Sequence, residues 1–378
     1  MRKKLNIGVV FGGRSGEHEI SLRSARAVIE NIDRTKYEIV PIAITKEGKW
    51  LTPSEATTLL PQSTQALVSL EAVAKSSSNV AILGDPSRQG LVSLKGNGSS
   101  SPVQPVDVIF PVLHGPFGED GTLQGLLELA DLPYVGCGVL ASACGMDKVV
   151  MKQLFAEAGL PICKYMWFLR SQWRDEQEKI IKKIRGAFRF PVFVKPANLG
   201  SSVGVSKAIN KISLTQAVEL AAQYDRKIIV EEAIDARELE CAVLGNDQPQ
   251  ASLPGEYVVY EEVARFLDYA EKYANTGHVE FVVPAPVSKS LATRIRQLAI
   301  RAFQAIDGAG LARVDFFLRR DTKELLVNEI NTLPGLTDVS GYPKMWAASG
   351  IPFPLVLEQL IELALSRHAD KALNKTSL

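Results

Sequence analysis

The sequence predicts a mixed α/β and α+β chain, with an N-terminal layer of parallel strands and helices followed by two α+β regions. Three observations carry this. Apolar strands alternate with helical segments up to about residue 136, the pattern of a buried parallel sheet. A valine-rich strand, a Gly/Ser loop and a resumed strand lie between residues 190 and 207. Near the C-terminus, LARVDFFLRR (311–320) and ELLVNEIN (324–331) are separated only by Asp321-Thr322-Lys323, a normal hairpin length.

The first region, residues 1–136, opens with a strand at 5–11, a glycine turn and a helix from about Ile20 to Asn31. Strands EIVPIAI (38–44) and VDVIFPVLHG (106–115) follow, with the helix TLQGLLELA (122–130). Residues 75–105 are rich in Ser, Gly and Pro and are expected to form an irregular excursion or hairpin. The second region, 137–235, holds the helix after Met146-Asp147-Lys148, strand FPVFVKP (190–196), a helix near 213–224 and strand KIIVEEA (227–233). Its basic run KIIKKIRGAFR (179–189) is most economically a solvated helix face and the turn after it. The third region, 236–378, runs from ELECAVLGN through the hairpin to PFPLVLEQLIELALSRH (352–368), an amphipathic helix for core packing or a subunit contact.

At 378 residues the chain can hold two or three domains with their own cores. A formal net charge of +1 argues against coating nucleic acid, while leaving room for a basic cleft around a small anion. Cys137, Cys144, Cys163 and Cys241 are scattered, without zinc-ligand spacing, and read as reduced thiols. MRKKLNIGVVFGG has a basic start but too short an apolar run for a signal peptide, and no stretch is long enough to span a bilayer. A cytoplasmic protein with no membrane partner is expected.

Two standard phosphate motifs fail at the first glycine turn, Phe11-Gly12-Gly13-Arg14-Ser15-Gly16. Phe11 stands where GxGxxG needs glycine, and Arg14-Ser15 stands where a Walker A motif needs Lys-Ser/Thr. The turn can still bring backbone amides to an anion. Glu17 and Glu19 follow at once, either as a helix cap or as site residues. The better phosphate candidate is Lys195 with the loop Gly200-Ser201-Ser202-Val203-Gly204, a strand-loop-strand clamp or else a plain hairpin turn.

Pairing the C-terminal hairpin across its three-residue loop sets Asp315 opposite Glu329 and Arg313 opposite Asn331, all on one face. Facing carboxylates repel, so a cation between them is expected; the alternative is a solvated hairpin. Asp, Glu and Asn are hard oxygen ligands suited to Mg2+ or Mn2+.

In order, these signals give the layout of the ATP-grasp fold, behind a Rossmann-like N-terminal domain. The chain resembles the D-alanine:D-alanine ligases over nearly its whole length. The matching segments are FGGRSGEHEISL (11–22), HGPFGEDGTLQG (114–125), MDK (146–148), VKPANLGSSVGVSK (194–207), VEE…ELECAVLG (230–245), EKY (271–273), ARVDFF (312–317) and NEINTLPGLT (328–337). The resemblance implies that Lys148, Lys195 and Ser202 bind ATP phosphates. It places Glu231 and the backbone near Ala233 and Ile234 around the adenine, Glu238 on the ribose, and Asn328 among the ATP-binding residues. Asp315, Glu329 and Asn331 would ligate two Mg2+ (or Mn2+). Glu17 would hold the ammonium of the first D-alanine, with His114 nearby, and Glu17, Ser201 and Tyr273 would join the covering loops. Arg313 and the Gly335 amide would stabilise the oxyanion, while Lys272 and Ser340 would receive the second D-alanine's carboxylate. The Gly/Ser loop and segment 255–278 are the candidate lids.

The implied reaction forms D-alanyl phosphate and ADP, then a dipeptide and phosphate. One departure is Gly341, where family members usually carry a bulky apolar residue after the serine. Tyr273 is the residue associated with D-alanine as acceptor. The runner-up is an ATP-grasp ligase taking D-lactate, D-serine or another D-amino acid. A regulatory protein with a dead site is disfavoured because Lys148, Lys195, Arg313, Asp315, Glu329 and Asn331 are all present. The resemblance also implies a homodimer.

Overall fold

The computed structural model describes residues 4–68, 79–88, 90–94, 100–200, 202–259 and 279–375. The chain starts with β1 (Leu5–Gly12), α1 (His18–Asn31) and β2 (Tyr37–Ile44), then two short helices, α2 (Pro53–Thr58) and α3 (Gln62–Gln65). Next come β3 (Asn79–Ile82), β4 (Leu91–Leu94), β5 (Ser100–Gln104), β6 (Val108–Pro111) and α4 (Thr122–Leu129). β1 is the middle strand of a parallel sheet of order β2-β1-β6. Its strands are apolar apart from Asn6 and Glu38 near their starts, because both faces are covered.

Residues 75–105 bear out the hairpin of the expectation and extend it: their described part is a three-stranded antiparallel meander, β3-β4-β5, with a register shift between Leu91 and Val92. Val80, Ile82 and Leu91 are buried with Val40, Ile42 and Leu127, closing one face of the parallel sheet. The Ser- and Gly-rich composition masks the short apolar alternation that builds it.

α5 (Val139–Met146) and α6 (Lys148–Glu157) lead into β7 (Tyr165–Leu169), α7 (Arg170–Ala187), β8 (Val192–Pro196), β9 (Ser206–Ala208), α8 (Lys211–Tyr224) and β10 (Lys227–Glu232). These strands form an antiparallel sheet of order β7-β10-β8-β9. The basic run behaves as expected: Ile180, Ile181 and Ile184 of α7 are buried while Lys182 and Lys183 are exposed.

The remaining elements are β11 (Ala236–Gly245), β12 (Gln250–Ala251), β13 (Gly255–Val259), β14 (Val279–Val282), α9 (Lys289–Ala305), β15 (Gly310–Arg319), β16 (Leu325–Asn331), α10 (Gly341–Ala348) and α11 (Phe353–Lys371). They build a second antiparallel sheet in the order β14-β13-β11-β15-β16, with β12 paired to β11. Gly255–Val259 is thus a sheet strand and not the start of a lid. The rest of the expected lid, 260–278, lies outside the described residues.

The hairpin of β15 and β16 contains two departures that cancel. The Arg319 amide donates to the Glu324 carbonyl at 3.0 Å, which makes the loop four residues long, Arg320 to Lys323, rather than three. A β-bulge after Asp315 then restores the register, so Asp315 faces Glu329 and Arg313 faces Asn331, whereas Phe316 faces Val327.

α11 proves to be core packing. Val356, Leu357, Leu360 and Ile361 are buried with Val28 and Ile29 of α1 and with Ile7 and Val9 of β1. Its Arg367 donates to the carbonyls of Tyr134 (3.0 Å) and Gly136, and lies 4.4 Å over the Tyr134 ring. No single helix among the described residues is long and apolar enough to cross a membrane, and the four cysteines are free.

Candidate active site

α6 supplies the first cations. Asp147 caps it, its carboxylate accepting from the Val149 and Val150 amides at 3.0 and 3.1 Å, and pairs with Lys227 of β10. Lys148, the first residue of the helix, reaches into the cleft, donating its Nζ to the Leu199 carbonyl. One turn on, Lys152 is buried at 1% exposure, 3.0 Å from Glu231, which also pairs with Lys195 at 2.7 Å. Strand alternation puts Lys195 and Glu231 on one face of the β8–β10 pair. Burial raises the Glu231 carboxyl, but Lys152 and Lys195 together outweigh it and hold the group at about 2. Burial lowers Lys148, while Glu231 holds Lys195 above its usual value against the same effect.

The second wall is the face of the β11–β15–β16 sheet. Its register sets Glu240, Asp315 and Glu329 in one row across three strands, with Arg313 and Asn331 in the next. Arg313 forks both Asp315 oxygens at 2.7 Å, and its Nε is 3.3 Å from Glu240. Burial opposes its charge, yet Asp315 and Glu240 keep it protonated well above the usual range. Asp315 and Glu240, which face each other across β15 and β11, therefore already share an arginine from β15. Asn328 is the extra residue of the bulge, and its carbonyl accepts from Lys152 at 3.2 Å.

The third wall comes from the first sheet. Glu17 stands at the N-cap of α1 but makes no side-chain cap hydrogen bond. Its carboxylate instead lies against Gly115 and Gly200, 3.1 and 3.5 Å from where a Cβ would stand on each, which favours the site reading over the cap. His114 is buried, 3.1 Å from the Leu333 carbonyl through Nδ1 and 3.2 Å from the Ser24 hydroxyl through Nε2. The carbonyl can only accept, so Nδ1 carries the proton and Nε2 accepts from Ser24. Burial holds the His114 pKa down. Glu119 accepts from the Gly115 amide at 2.6 Å, and burial, reinforced by Glu17, pushes its carboxyl up to about 8.

One cleft brings together Glu17, Lys148, Ser202, Arg313, Glu329 and Asn331 of the expected residues. Ser202 holds a left-handed φ of 58° in the turn after Gly200. Asp315, Lys195 and Glu231 back these groups rather than line the cleft. Ala233 sits apart, its amide 3.4 Å from the Pro191 carbonyl beside a separate hollow, and Ile234 continues the connection from β10 to β11. Glu238 shares the sheet face of Glu240, next to Tyr257 of β13. Gly335 is buried in the turn after β16, and Ser340 closes that turn through Thr337 at 2.7 Å, just before Gly341. Ser201, Lys272 and Tyr273 lie outside the described residues.

The D-ala D-ala ligase N-terminus family matches residues 6–137, and the D-ala D-ala ligase C-terminus family matches residues 154–362. The chain belongs to the D-alanine–D-alanine ligase family. It is 47% identical to the D-alanine–D-alanine ligase of Heliobacterium modesticaldum, covering 99% of this chain and 98% of that protein. It is 46% identical to that of Natranaerobius thermophilus, with the same coverage. The solved D-alanine–D-alanine ligase of Coxiella burnetii superposes with a TM-score of 0.81 at 39% identity, covering 98% of this chain and 96% of that one. A D-Ala:D-Ser ligase from Enterococcus faecalis gives 0.80 at 36% identity, covering 96% and 100%. The fold is the expected ATP-grasp fold behind a parallel layer.

Within this ligase fold, four residues of the site escaped the sequence reading: Lys152, Glu119, Glu240 and Tyr257. Glu240 stands two residues after Glu238 in a strand, and Lys152 one helical turn after Lys148, so period-2 and period-3.6 spacing would have found both. Glu119 lies inside the motif HGPFGEDG, while Tyr257 carries no local signal. Among the described residues no three of His, Cys, Asp and Glu converge as a metal cluster. The donor set Asp315, Glu329 and Asn331 is nonetheless all hard oxygen and shares one sheet face, which fits Mg2+ or Mn2+ and not a soft metal.

Proposed function

We propose that this chain ligates two molecules of D-alanine to D-alanyl-D-alanine with conversion of ATP to ADP, supplying the peptidoglycan precursor. The observation that carries this reading is 47% identity to a D-alanine–D-alanine ligase over 99% of the chain. The working parts are an N-terminal substrate domain (1–136), a central ATP-grasp domain (137–235) and a C-terminal one (236–378), in a cytoplasmic homodimer.

The carboxylate of the first D-alanine takes the terminal phosphoryl group, giving D-alanyl phosphate and ADP; the amine of the second then attacks the acyl carbon and phosphate leaves. Lys148, Lys195 and Ser202 bind the phosphates, and the position of Lys195 is set by Glu231 and Lys152 behind it. Glu231 and the backbone near Ala233 and Ile234 hold the base, Glu238 the ribose, and Asn328 adds to the ATP site. Asp315, Glu329 and Asn331 would hold two divalent cations, which would neutralise phosphate charge. Glu17 binds the donor ammonium beside His114, whose neutral ring fixes the loop at Leu333. Arg313 and the Gly335 amide aim donors at the tetrahedral oxyanion. Lys272 and Ser340 receive the acceptor carboxylate. Ser201 and Tyr273 link with Glu17 in closing the site, which protects the acyl phosphate from water.

Purified protein is expected to release ADP from ATP only when Mg2+ and D-alanine are both present, with a dipeptide seen by mass spectrometry. ADP release indifferent to D-alanine would overturn this function. Offering D-serine or D-lactate against D-alanine in the same assay tests the acceptor.

A further inference from the structure

Gly341 and Gly255 are glycines for want of space and not for backbone reasons, since neither has a positive φ. A Cβ on Gly255 would stand 2.3 Å from Phe281 Cζ. A Cβ on Gly341 would stand 2.8 Å from the same atom and 2.8 Å from Glu240 Oε2. The Phe281 ring, from β14, therefore lies over Gly255 and, together with the Glu240 carboxylate, takes up the space beside Gly341. It also packs on Tyr257, ring centroids 4.8 Å apart and planes at 54°. Both Glu240 and Tyr257 line the cleft, and Gly341 directly follows Ser340.

We propose that Phe281 determines acceptor specificity as a positioning residue, its ring filling the space a side chain at 341 would take and holding Glu240 and Tyr257 in place. This rests on the ligase reading above, with Ser340 at the acceptor end. A rigid aromatic wedge suits this role, because without it Tyr257 and Glu240 gain a void to move into, and with any larger residue at 341 it collides. Ring and glycine thus form one unit, and substitutions at the two positions should couple.

The test is a competition between D-alanine and D-2-aminobutyrate, one methylene larger, as acceptors for D-alanine donor, with dipeptides sequenced by mass spectrometry. Phe281→Ala is expected to raise relative use of the larger acceptor about 10-fold, the scale of one methylene in a pocket, while KM for ATP stays within about twofold. Gly341→Leu alone should lose most turnover by collision with the ring. The double variant Phe281→Ala/Gly341→Leu should regain turnover and return the product ratio to within about threefold of the parent, the signature of coupling between touching residues. Phe281→Leu, which keeps an apolar side chain, should give an intermediate ratio at unchanged melting temperature, separating selectivity from folding. A product ratio unmoved in Phe281→Leu and Phe281→Ala, or a double variant no better than Gly341→Leu, would overturn the inference. Parent protein that makes no dipeptide would instead remove the ligase reading beneath it.

Discussion

Lys152, Glu231 and Lys195 form a buried chain of charges, linked at 3.0 and 2.7 Å, in which each ionised group depends on the next. The Glu231 carboxyl, normally near 4.5, is held at about 2. A depressed carboxyl contributes stability that is complete above its unfolded value and lost as pH falls toward the folded one, here between about 4.5 and 2. Lys152→Met is expected to destabilise the protein by about 3 kcal/mol at neutral pH, typical for breaking a buried pair. With one partner left, Glu231 is less depressed, so the stability lost between pH 7 and pH 3 should be smaller in the variant. Urea unfolding at both pH values measures this; equal acid sensitivity in the two proteins would refute the account. Lys148 and Lys195 were legible as site residues because they stand in motifs. Lys152 was not, since a lysine inside a helix ordinarily points to water, and only its burial against β10 and the bulge shows otherwise.

At the scale of elements, α6 is aimed by its cap. Asp147 satisfies the amides of Val149 and Val150 and pairs with Lys227, so the helix start, and Lys148 with it, is fixed to the central sheet. Asp147→Ala is expected to cost about 1 kcal/mol for the lost cap, somewhat more with Lys227 left unpaired. KM for ATP should rise several-fold more than kcat falls, with Asp147→Asn recovering the capping part; unchanged ATP affinity in the alanine variant would count against the aiming role. The β15–β16 hairpin shows how far pattern reading goes. Its facing pairs were legible because both strands are mostly apolar around Arg313, Asp315, Glu329 and Asn331. The route to them was not: the fourth loop residue and the bulge at Asn328 each shift register by one residue and cancel only at Asp315–Glu329. A bulge depends on what the strand packs against, here Lys152 reaching the Asn328 carbonyl, and no local composition announces it.

Over the whole molecule, the site is a cleft between three sheets, each contributing groups of its own. The parallel layer gives Glu17 and Glu119, the central sheet and α6 give lysines, and the C-terminal sheet gives Arg313 with its row of carboxylates. The order of these parts along the chain was legible as the ATP-grasp layout. What closes them up was not, because it is long-range: α11 packs back on α1 and β1, and Arg367 clasps the carbonyls of Tyr134 and Gly136. The meander of β3, β4 and β5, beyond the hairpin that was expected there, likewise declares itself only by what it covers. The central claim is that these walls activate a carboxylate by phosphorylation and then hand the acyl group to an amine. Its most direct test supplies D-alanine labelled with 18O in the carboxylate and examines the phosphate released. One labelled oxygen in each phosphate is the predicted result, because the attacking carboxylate oxygen leaves with the phosphorus. Phosphate carrying no label from D-alanine would contradict it.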